Sequence, residues 1–530
     1  MADNIIIEKA KDGNWTCKVK IDDKWKYIYS KYNPIKKIEN IASDENYIVL
    51  GIGLGYELKQ IIQNTKGNIY VIDKNENFYN IIQEHNDLNI EYEDRVVFLF
   101  GEAYKDIYFK MDDKNLIYDN KNITEVDSKF YYDVLKYLST REKKKSKLKV
   151  AFYEATTVAD DCMDALRNIG YDVVKMYFST KHKMLQDIMD EMPDFIFTIN
   201  PSDKVSEISR ILSIPYISWV VDSPAYSLYS DFLKNKSIFA FVYDCDMALE
   251  LNSMGLRNIA YMPVAANVSR LDNVHLSSQD VDKYNCDISF LGTVGMDNEF
   301  NKFLYEFLSK ETISEINEIF NKQHLNLNKY LIKDIVTDKL VTKILEETGY
   351  KTSDETFLDS KTKIAYFLAK KYNEIQRIDM VHKLSNEFNM HVYGDENWGK
   401  LNLSNVKYKG YAEHFNEMPK VFKCSKININ FTRIYVDSGL PMRVFDILGS
   451  KGFLVTNHKA DIDKYFKDGE DLVKYRDTKD LIEISQYYLN NEQERQKIMI
   501  SGYEKVKEYH TYEVRLKKMM KCIKEYFSII

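Results

Sequence analysis

The chain has 530 residues, with 74 Lys and Arg against 81 Asp and Glu, for a formal net charge of −7. That length predicts three or four domains, and 45% hydrophobic with 29% charged residues excludes a mainly disordered chain. No run of roughly 18 apolar residues occurs, which excludes a membrane-spanning helix on length, and the mild acidity speaks against a nucleic-acid partner, which needs a basic face. The N-terminus lacks a basic stretch and an apolar core long enough for a secretion signal. The six cysteines (Cys17, Cys162, Cys245, Cys286, Cys424 and Cys522) show no CxxC spacing, so neither a disulfide framework nor a cysteine zinc site is expected, and a reducing cytoplasm fits. There are 40 Tyr beside 8 Pro; Tyr, Ile, Lys and Asn all have AT-rich codons and are all abundant, so base composition explains them better than stacking platforms do.

In chain order, a β-hairpin is predicted over Trp15–Ile21 and Trp25–Tyr29, around Asp22-Asp23. A short apolar strand from Tyr47 follows, then the turn Gly51-Ile-Gly53-Leu-Gly55, a helix to Ile62, and a strand Asn68–Ile72 that ends in Asp73. This is a βαβ start. The charge run Arg141–Lys147 has no apolar periodicity and reads as a solvated linker. A second α/β series then begins, with strands at Leu148–Tyr153, Tyr171–Phe178, Phe195–Ile199, Tyr216–Val221, Ile238–Tyr243 and Asn258–Met262. Helices between them are predicted at Asp160–Ile169, Met184–Glu191, Val205–Leu212 and Asp246–Met254. Such alternation means a parallel sheet.

The pattern restarts at Cys286–Gly292. A helical stretch of about Asn298–Glu387, with no Pro and one Gly, reads as an inserted bundle. Strands then resume at Met390–Tyr393, Val406–Tyr408, Ile427–Asn430, Phe453–Thr456 and Leu472–Tyr475, with helices at His414–Lys423, Pro441–Gly449, Leu481–Leu489 and to the end. The expected architecture is α/β: a Rossmann-like domain over 1–145, then a facing pair over 146–284 and 285–530, the last carrying a helical insert at about 298–387.

Ligands of open parallel sheets sit beyond the carboxyl ends of the strands. The first stretch to meet that condition is Ser438-Gly-Leu-Pro-Met-Arg443-Val-Phe-Asp446-Ile-Leu-Gly449, a loop running into a helix. Pro441 suits a helix's first turn, whose free N–H groups suit a phosphate. Arg443 and nearby Arg433 bring charge to a diphosphate, and Asp446 brings a carboxylate suited to ribose hydroxyls, unless Arg443 and Asp446 are a surface pair.

This stretch, extended back to Ser425-Lys-Ile-Asn-Ile-Asn430-Phe-Thr-Arg433, resembles the C-terminal half of CgeB-like spore maturation glycosyltransferases of the two-domain GT-B architecture. Gly469-Glu-Asp-Leu-Val473, His510-Thr-Tyr512, Cys286–Gly292 and Tyr393-Gly394-Asp-Glu-Asn-Trp398 look like the same family. Asp194–Asn200 and Ile214–Pro224 resemble its N-terminal half, so the likeness spans roughly residues 148–520. It implies a nucleotide sugar, UDP-linked by analogy, bound mainly by the C-terminal unit, an acceptor hydroxyl entering from the other, and no required cofactor or metal. Retaining relatives carry Glu, seven residues, Glu in this loop; here the pair is Ser438 and Asp446. The resemblance then implies a carboxylate for the ribose at Asp446 and none for the transferred sugar at Ser438, so the stereochemistry stays open.

Around that frame, Asp222 follows a buried strand, where a base for the acceptor hydroxyl belongs, and capping the turn at Ser223-Pro224 is the alternative. Gly292 and Thr293 allow close approach to phosphate; Tyr411, or Trp398, offers a ring to the base; Ser438 and Gly439 complete the donor loop. At the front, Gly51, Gly53, Gly55 and Asp73 form a candidate cofactor turn of the kind that opens S-adenosylmethionine methyltransferases. Tyr29–Ile35 with Val49–Tyr56 also resembles the front of motility-associated-factor proteins linked to flagellin glycosylation, which implies an accessory domain and a protein Ser/Thr acceptor. The expectation is a cytoplasmic glycosyltransferase. A methyltransferase and a non-catalytic sugar-nucleotide-binding protein are the alternatives.

Overall fold

The computed structural model describes residues 4–21, 23–85, 94–109, 115–139, 147–153, 158–223, 225–351, 358–403 and 405–527. The linker run lies outside them apart from Lys147, as do Asp22 of the hairpin turn and Pro224. The chain divides into two compact units, one of Met1–Leu148 with Ser179–Pro193 and Ile211–Ser213, the other of Lys149–Phe178, Asp194–Arg210 and Ile214–Ile530.

In the first unit, β1 (Ile5–Lys9), β2 (Trp15–Ile21) and β3 (Lys24–Tyr27) form an antiparallel sheet; β1 extends the expected hairpin by one strand. Next come β4 (Tyr47–Leu50), β5 (Ile69–Asp73), β6 (Val96–Phe100) and β7 (Leu116–Asp119), parallel in the order β6-β5-β4-β7. β4 and β5 are buried at every residue, as strands covered on both faces must be.

The second unit has two parallel sheets of six strands each. One runs β13-β12-β11-β10-β8-β9, from β8 (Lys149–Tyr153), β9 (Asp172–Met176), β10 (Phe195–Ile199), β11 (Tyr216–Val220), β12 (Ile238–Val242) and β13 (Ile259–Tyr261). The other runs β16-β15-β14-β17-β18-β19, from β14 (Cys286–Leu291), β15 (Met390–Tyr393), β16 (Lys407–Tyr408), β17 (Ser425–Asn430), β18 (Leu454–Asn457) and β19 (Val473–Tyr475). The order in which strands are added to this second sheet switches sides between β14 and β17, the crevice where ligands of such sheets bind.

The insert between β14 and β15 is helical as expected. Its main helices are Lys310–His324, Asp338–Thr348 and Ser360–Glu387. Each begins at a residue whose side chain accepts an N–H of the first turn: Ser309 from Thr312, Thr337 from Leu340, and Asp359 from Thr362. Gly349, at φ +63°, ends the second in the left-handed conformation glycine tolerates best. The insert is no appendage. Ile316, Leu340 and Leu368 belong to the same hydrophobic core as Ile434, Val436 and Leu440 of the loop after β17. Packing against the insert therefore shapes that loop.

Candidate active site

A cavity of about 430 Å³ lies at the carboxyl ends of strands from both sheets of the second unit. Val158, Asp222, Ser223 and Tyr243 line it from the first sheet, and Gly292, Thr293, Thr432, Arg433, Pro441 and Arg443 from the second. Five of the residues expected from sequence, Asp222, Gly292, Thr293, Arg433 and Arg443, thus share one wall-to-wall space.

Local chemistry explains the second-sheet side. After β14 the chain turns at Gly292, whose N–H donates to Tyr393 O at 2.9 Å and whose carbonyl accepts Trp398 Nε1–H at 2.8 Å. A Cβ on Gly394 would come within 2.2 Å of that same carbonyl, so the two loops cross only because a side chain is missing. Trp398 is buried and packs on Phe290; it is core, not a platform for a base. After β17, Asn430 Nδ2 donates to Thr432 Oγ1 and Thr456 Oγ1, both at 2.9 Å, and Asn457 Oδ1 accepts Thr432 N–H at 2.8 Å. These bonds hold the backbone that presents Arg433. The helix Met442–Gly449 follows Pro441, and its first N–H groups have no acceptor within the helix.

Sequence reasoning missed Arg377. It sits on the insert helix Ser360–Glu387, is 8% exposed, and lines the cavity. Its Nη1 donates to Thr293 O at 2.6 Å. Burial, then the neighbouring Arg433 charge, push its guanidinium down to about 10. Burial also lowers Arg443, with Asp446 working against the shift. Arg443 reaches Met418 Sδ and lies 5.5 Å from the Phe422 ring centre. Among the described residues, none of the three arginines has a carboxylate within ion-pairing distance. Nothing in the local sequence of a long charged helix distinguishes Arg377 from a solvated one.

Asp446 lies one turn beyond Arg443, outside the cavity wall. It is buried, its carboxyl is pushed up by that burial, and Arg443, His414 and Arg270 oppose the shift. No described residue donates a hydrogen bond to its carboxylate; Arg270 bonds Asp161 through Nε and Nη2 at 2.9 and 2.8 Å and keeps a buried Nη1 without a described partner. Tyr411, after Gly410 at φ +81°, is 73% exposed. On the opposite wall, Asp222 is exposed and accepts Asn200 Nδ2–H at 2.6 Å, and Asn200 Oδ1 accepts Val221 N–H at 3.0 Å. Asn200 therefore orients Asp222, a role no local pattern announced.

Two groups stand apart from expectation. Ser438 does not line the cavity: it is fully buried, its Oγ donates to Asp244 Oδ1 at 2.9 Å, and its N–H points to the same carboxylate. A Cβ on Gly439 would meet Asp244 and Tyr243 at 3.0 Å. This segment ties the two sheets together instead of facing a donor. In the first unit the candidate cofactor turn is filled from within. A Cβ on Gly53 would lie 2.1 Å from Tyr29 Oη, and one on Gly51 2.7 Å from Ile123. Gly55, at φ +79°, begins the helix Tyr56–Asn64. Asp73 Oδ2 accepts Ile52 N–H at 2.8 Å, and its Oδ1 accepts Lys74 N–H at 2.7 Å and the Tyr131 hydroxyl at 3.0 Å. Three protein donors hold the Asp73 carboxylate and side chains fill the space over Gly51 and Gly53, so Gly51, Gly53, Gly55 and Asp73 form a turn packed from within.

Residues 376–521 match the family described as glycosyl transferase-like. No curated protein matches the chain. Solved structures with which it aligns include HepE of Anabaena in complex with UDP and glucose (8% identity, TM-score 0.42, covering 71% of this chain and 100% of that one). Sucrose-phosphate synthase of Thermosynechococcus elongatus gives 9% identity and a TM-score of 0.43, over 72% of this chain and 100% of that one. A variant of TarM from S. aureus in complex with fondaparinux, alpha-GlcNAc-glycerol and UDP gives 10% and 0.34, over 91% and 99%. The chain is thus an α/β protein whose second unit holds two parallel, Rossmann-like sheets of six strands, with a segment over residues 376–521 that matches a glycosyl transferase-like family.

Proposed function

We propose that the chain is a glycosyltransferase that moves a sugar from a nucleotide sugar, UDP-linked, to an acceptor hydroxyl. The observation that carries this reading is the set Arg377, Arg433 and Arg443: three guanidinium groups without carboxylate partners around one cavity, in a chain of net charge −7. Gathering unpaired like charges in a partly buried space is unfavourable unless an anion joins them. A diphosphate supplies two negative charges, pairs of oxygens spaced for the planar guanidinium forks, and a fit to the free N–H groups at Met442 and Arg443. Asp446, buried with an unclaimed carboxylate, would take the ribose hydroxyls, and exposed Tyr411 the base.

In the reaction, the acceptor oxygen attacks the anomeric carbon. The bond from that carbon to the diphosphate breaks, and the leaving diphosphate keeps the electron pair. Asp222, held by Asn200, takes the acceptor proton. The arginines stabilise the charge gathering on the leaving group, and the cavity supplies proximity. We take the working parts as 1–145, 146–284 and 285–530, the first an accessory domain. The resemblance to CgeB-like and motility-associated-factor proteins favours a protein Ser/Thr acceptor in the cytoplasm, flagellin first and spore-surface material next.

The test is transfer to water or acceptor from a panel of UDP-sugars, measured for wild type, Asp222→Asn and Asp446→Ala. Turnover by wild type is expected, with Asp222→Asn lowering kcat about 100-fold or more at unchanged donor affinity, and Asp446→Ala weakening the donor. One observation favours a second reading, a non-catalytic nucleotide-sugar binder: the Ser438 position is committed to Asp244. Donor binding without turnover in folded wild type, over the full panel, is the outcome that selects it.

A further inference from the structure

A second cavity, also of about 430 Å³, adjoins the first and shares Thr293, Arg377 and Arg433 with it. Its walls come from the carboxyl ends of β14, β15 and β17 and from the insert helix Ser360–Glu387; Arg443 is not among them. The charges around it are mostly spent. Lys370 pairs with Glu299 at 2.6 Å, and Asp297 pairs with Lys302. Asn373 Oδ1 accepts Ile434 N–H at 2.8 Å, and its Nδ2 donates to Ala369 O at 2.8 Å.

The groups with capacity to spare are of another kind. Arg377 is nine-tenths buried, and its only described acceptors are the carbonyl and hydroxyl of Thr293. Tyr435 is 4% exposed, its ring centre 5.9 Å from the Arg433 guanidinium; its phenol oxygen is bonded to Arg433, which leaves its O–H to donate. Asn397 spends its backbone N–H on Asp395 Oδ1 at 3.2 Å, while its side-chain amide bonds no described residue. Asp395 takes that N–H and the Val294 N–H at 3.2 Å, which leaves lone pairs free on both oxygens. A guanidinium edge, a phenol, an amide and a carboxylate are the groups that bind a ring of hydroxyls. A second phosphate would meet the Asp395 carboxylate. A base would find no exposed ring, since Tyr435 is buried.

We propose that this second cavity holds the glycosyl group of the donor, and that the insert helix thereby selects the sugar. The inference rests on the donor reading above. With the nucleoside toward Asp446 and Tyr411 and the diphosphate among the arginines, the sugar is the part left for the far side of Arg377 and Arg433. Its anomeric carbon would then stand at the boundary of the two cavities, open toward Asp222.

Isothermal titration with UDP, UDP-glucose and UDP-N-acetylglucosamine tests it, on wild type, Asn397→Ala and Tyr435→Phe, with thermal unfolding to verify folding. Wild type is expected to bind at least one nucleotide sugar more tightly than UDP. Each variant should hold UDP within about twofold and lose about tenfold for that nucleotide sugar, the scale of one hydrogen bond to a sugar hydroxyl. Equal weakening of UDP and the nucleotide sugar, or no weakening of either, overturns the assignment, as does a wild type with one affinity for all three. A wild type that binds none of them removes the donor reading itself, which is a different failure.

Discussion

Arg377, Arg433 and Arg443 stand on three separate pieces of chain and meet at one cavity. Each charge-assisted hydrogen bond to a phosphate is worth about 1.5–3 kcal/mol. Alanine at any one of them should therefore raise the donor Kd about 10- to 100-fold. Lys479, whose side chain is 87% exposed, serves as control, and its alanine variant should stay within about 0.5 kcal/mol. Arg377→Lys should not rescue, since an ammonium lacks the planar fork. Equal effects at Lys479 and at the arginines in titrations with UDP would refute a local anion site. Arg433 and Arg443 were legible because each sits beside a strand end or helix start that the sequence marks. Arg377 was not, because its partner Thr293 lies 84 residues away. Ser438 was misread for the same reason: its acceptor Asp244 is 194 residues distant. Periodicity and turn chemistry encode neighbours, not such meetings.

Among the elements, the loop from Arg433 to Ser438 is braced by one ammonium group. Lys459, 1% exposed, donates to Val436 O and lies 3.5 Å from Ile434 O and Asn328 O. Burial pulls its amine down to about 8. Below that pH the folded state carries a buried charge that the unfolded chain keeps in water. Between about pH 8 and the ordinary lysine range the unfolded state holds the extra proton, so stability rises with pH there. At about 1.4 kcal/mol per pH unit the gain reaches about 3 kcal/mol. Urea unfolding from pH 7 to 10.5, with Lys459→Met subtracted to cancel the other titrating groups, should show it; a flat difference would refute the assignment. The strands and helix caps around this loop were legible, because β-branched runs and Ser, Thr or Asp before an apolar period are local signals. The strand β1 was not: Ile5–Lys9 is short, and only pairing with β2 defines it.

At the level of the whole molecule, the two units turn the same βαβ signal to different ends. In the second unit the carboxyl ends of the strands leave open space lined by charge. In the first, the corresponding turn is closed by Tyr29, whose hydroxyl donates to Glu57 at 3.1 Å and lies 3.3 Å from Leu54 N and Asn120 Nδ2. A glycine turn in a sequence states that side chains are excluded there, and cannot state whether a cofactor or the protein's own tyrosine takes the room. Burial also lifts the Asp73 carboxyl to about 6, while its bonds to Ile52, Tyr131 and Lys74 pull the other way; unlike Asp446, this carboxylate is held by donors of its own unit. S-adenosylmethionine titrated into the full chain should give no saturable heat. Gly53→Ala should lower the unfolding midpoint, because φ at this residue is +54° and the new Cβ meets Tyr29 Oη; left-handed strain alone costs about 1–3 kcal/mol. Saturable binding of S-adenosylmethionine, lost in Gly53→Arg, would reverse this conclusion and restore a methyl-transfer role to the first unit. Its absence, with a destabilised Gly53→Ala, leaves that unit a packed support and assigns the chemistry to the second alone.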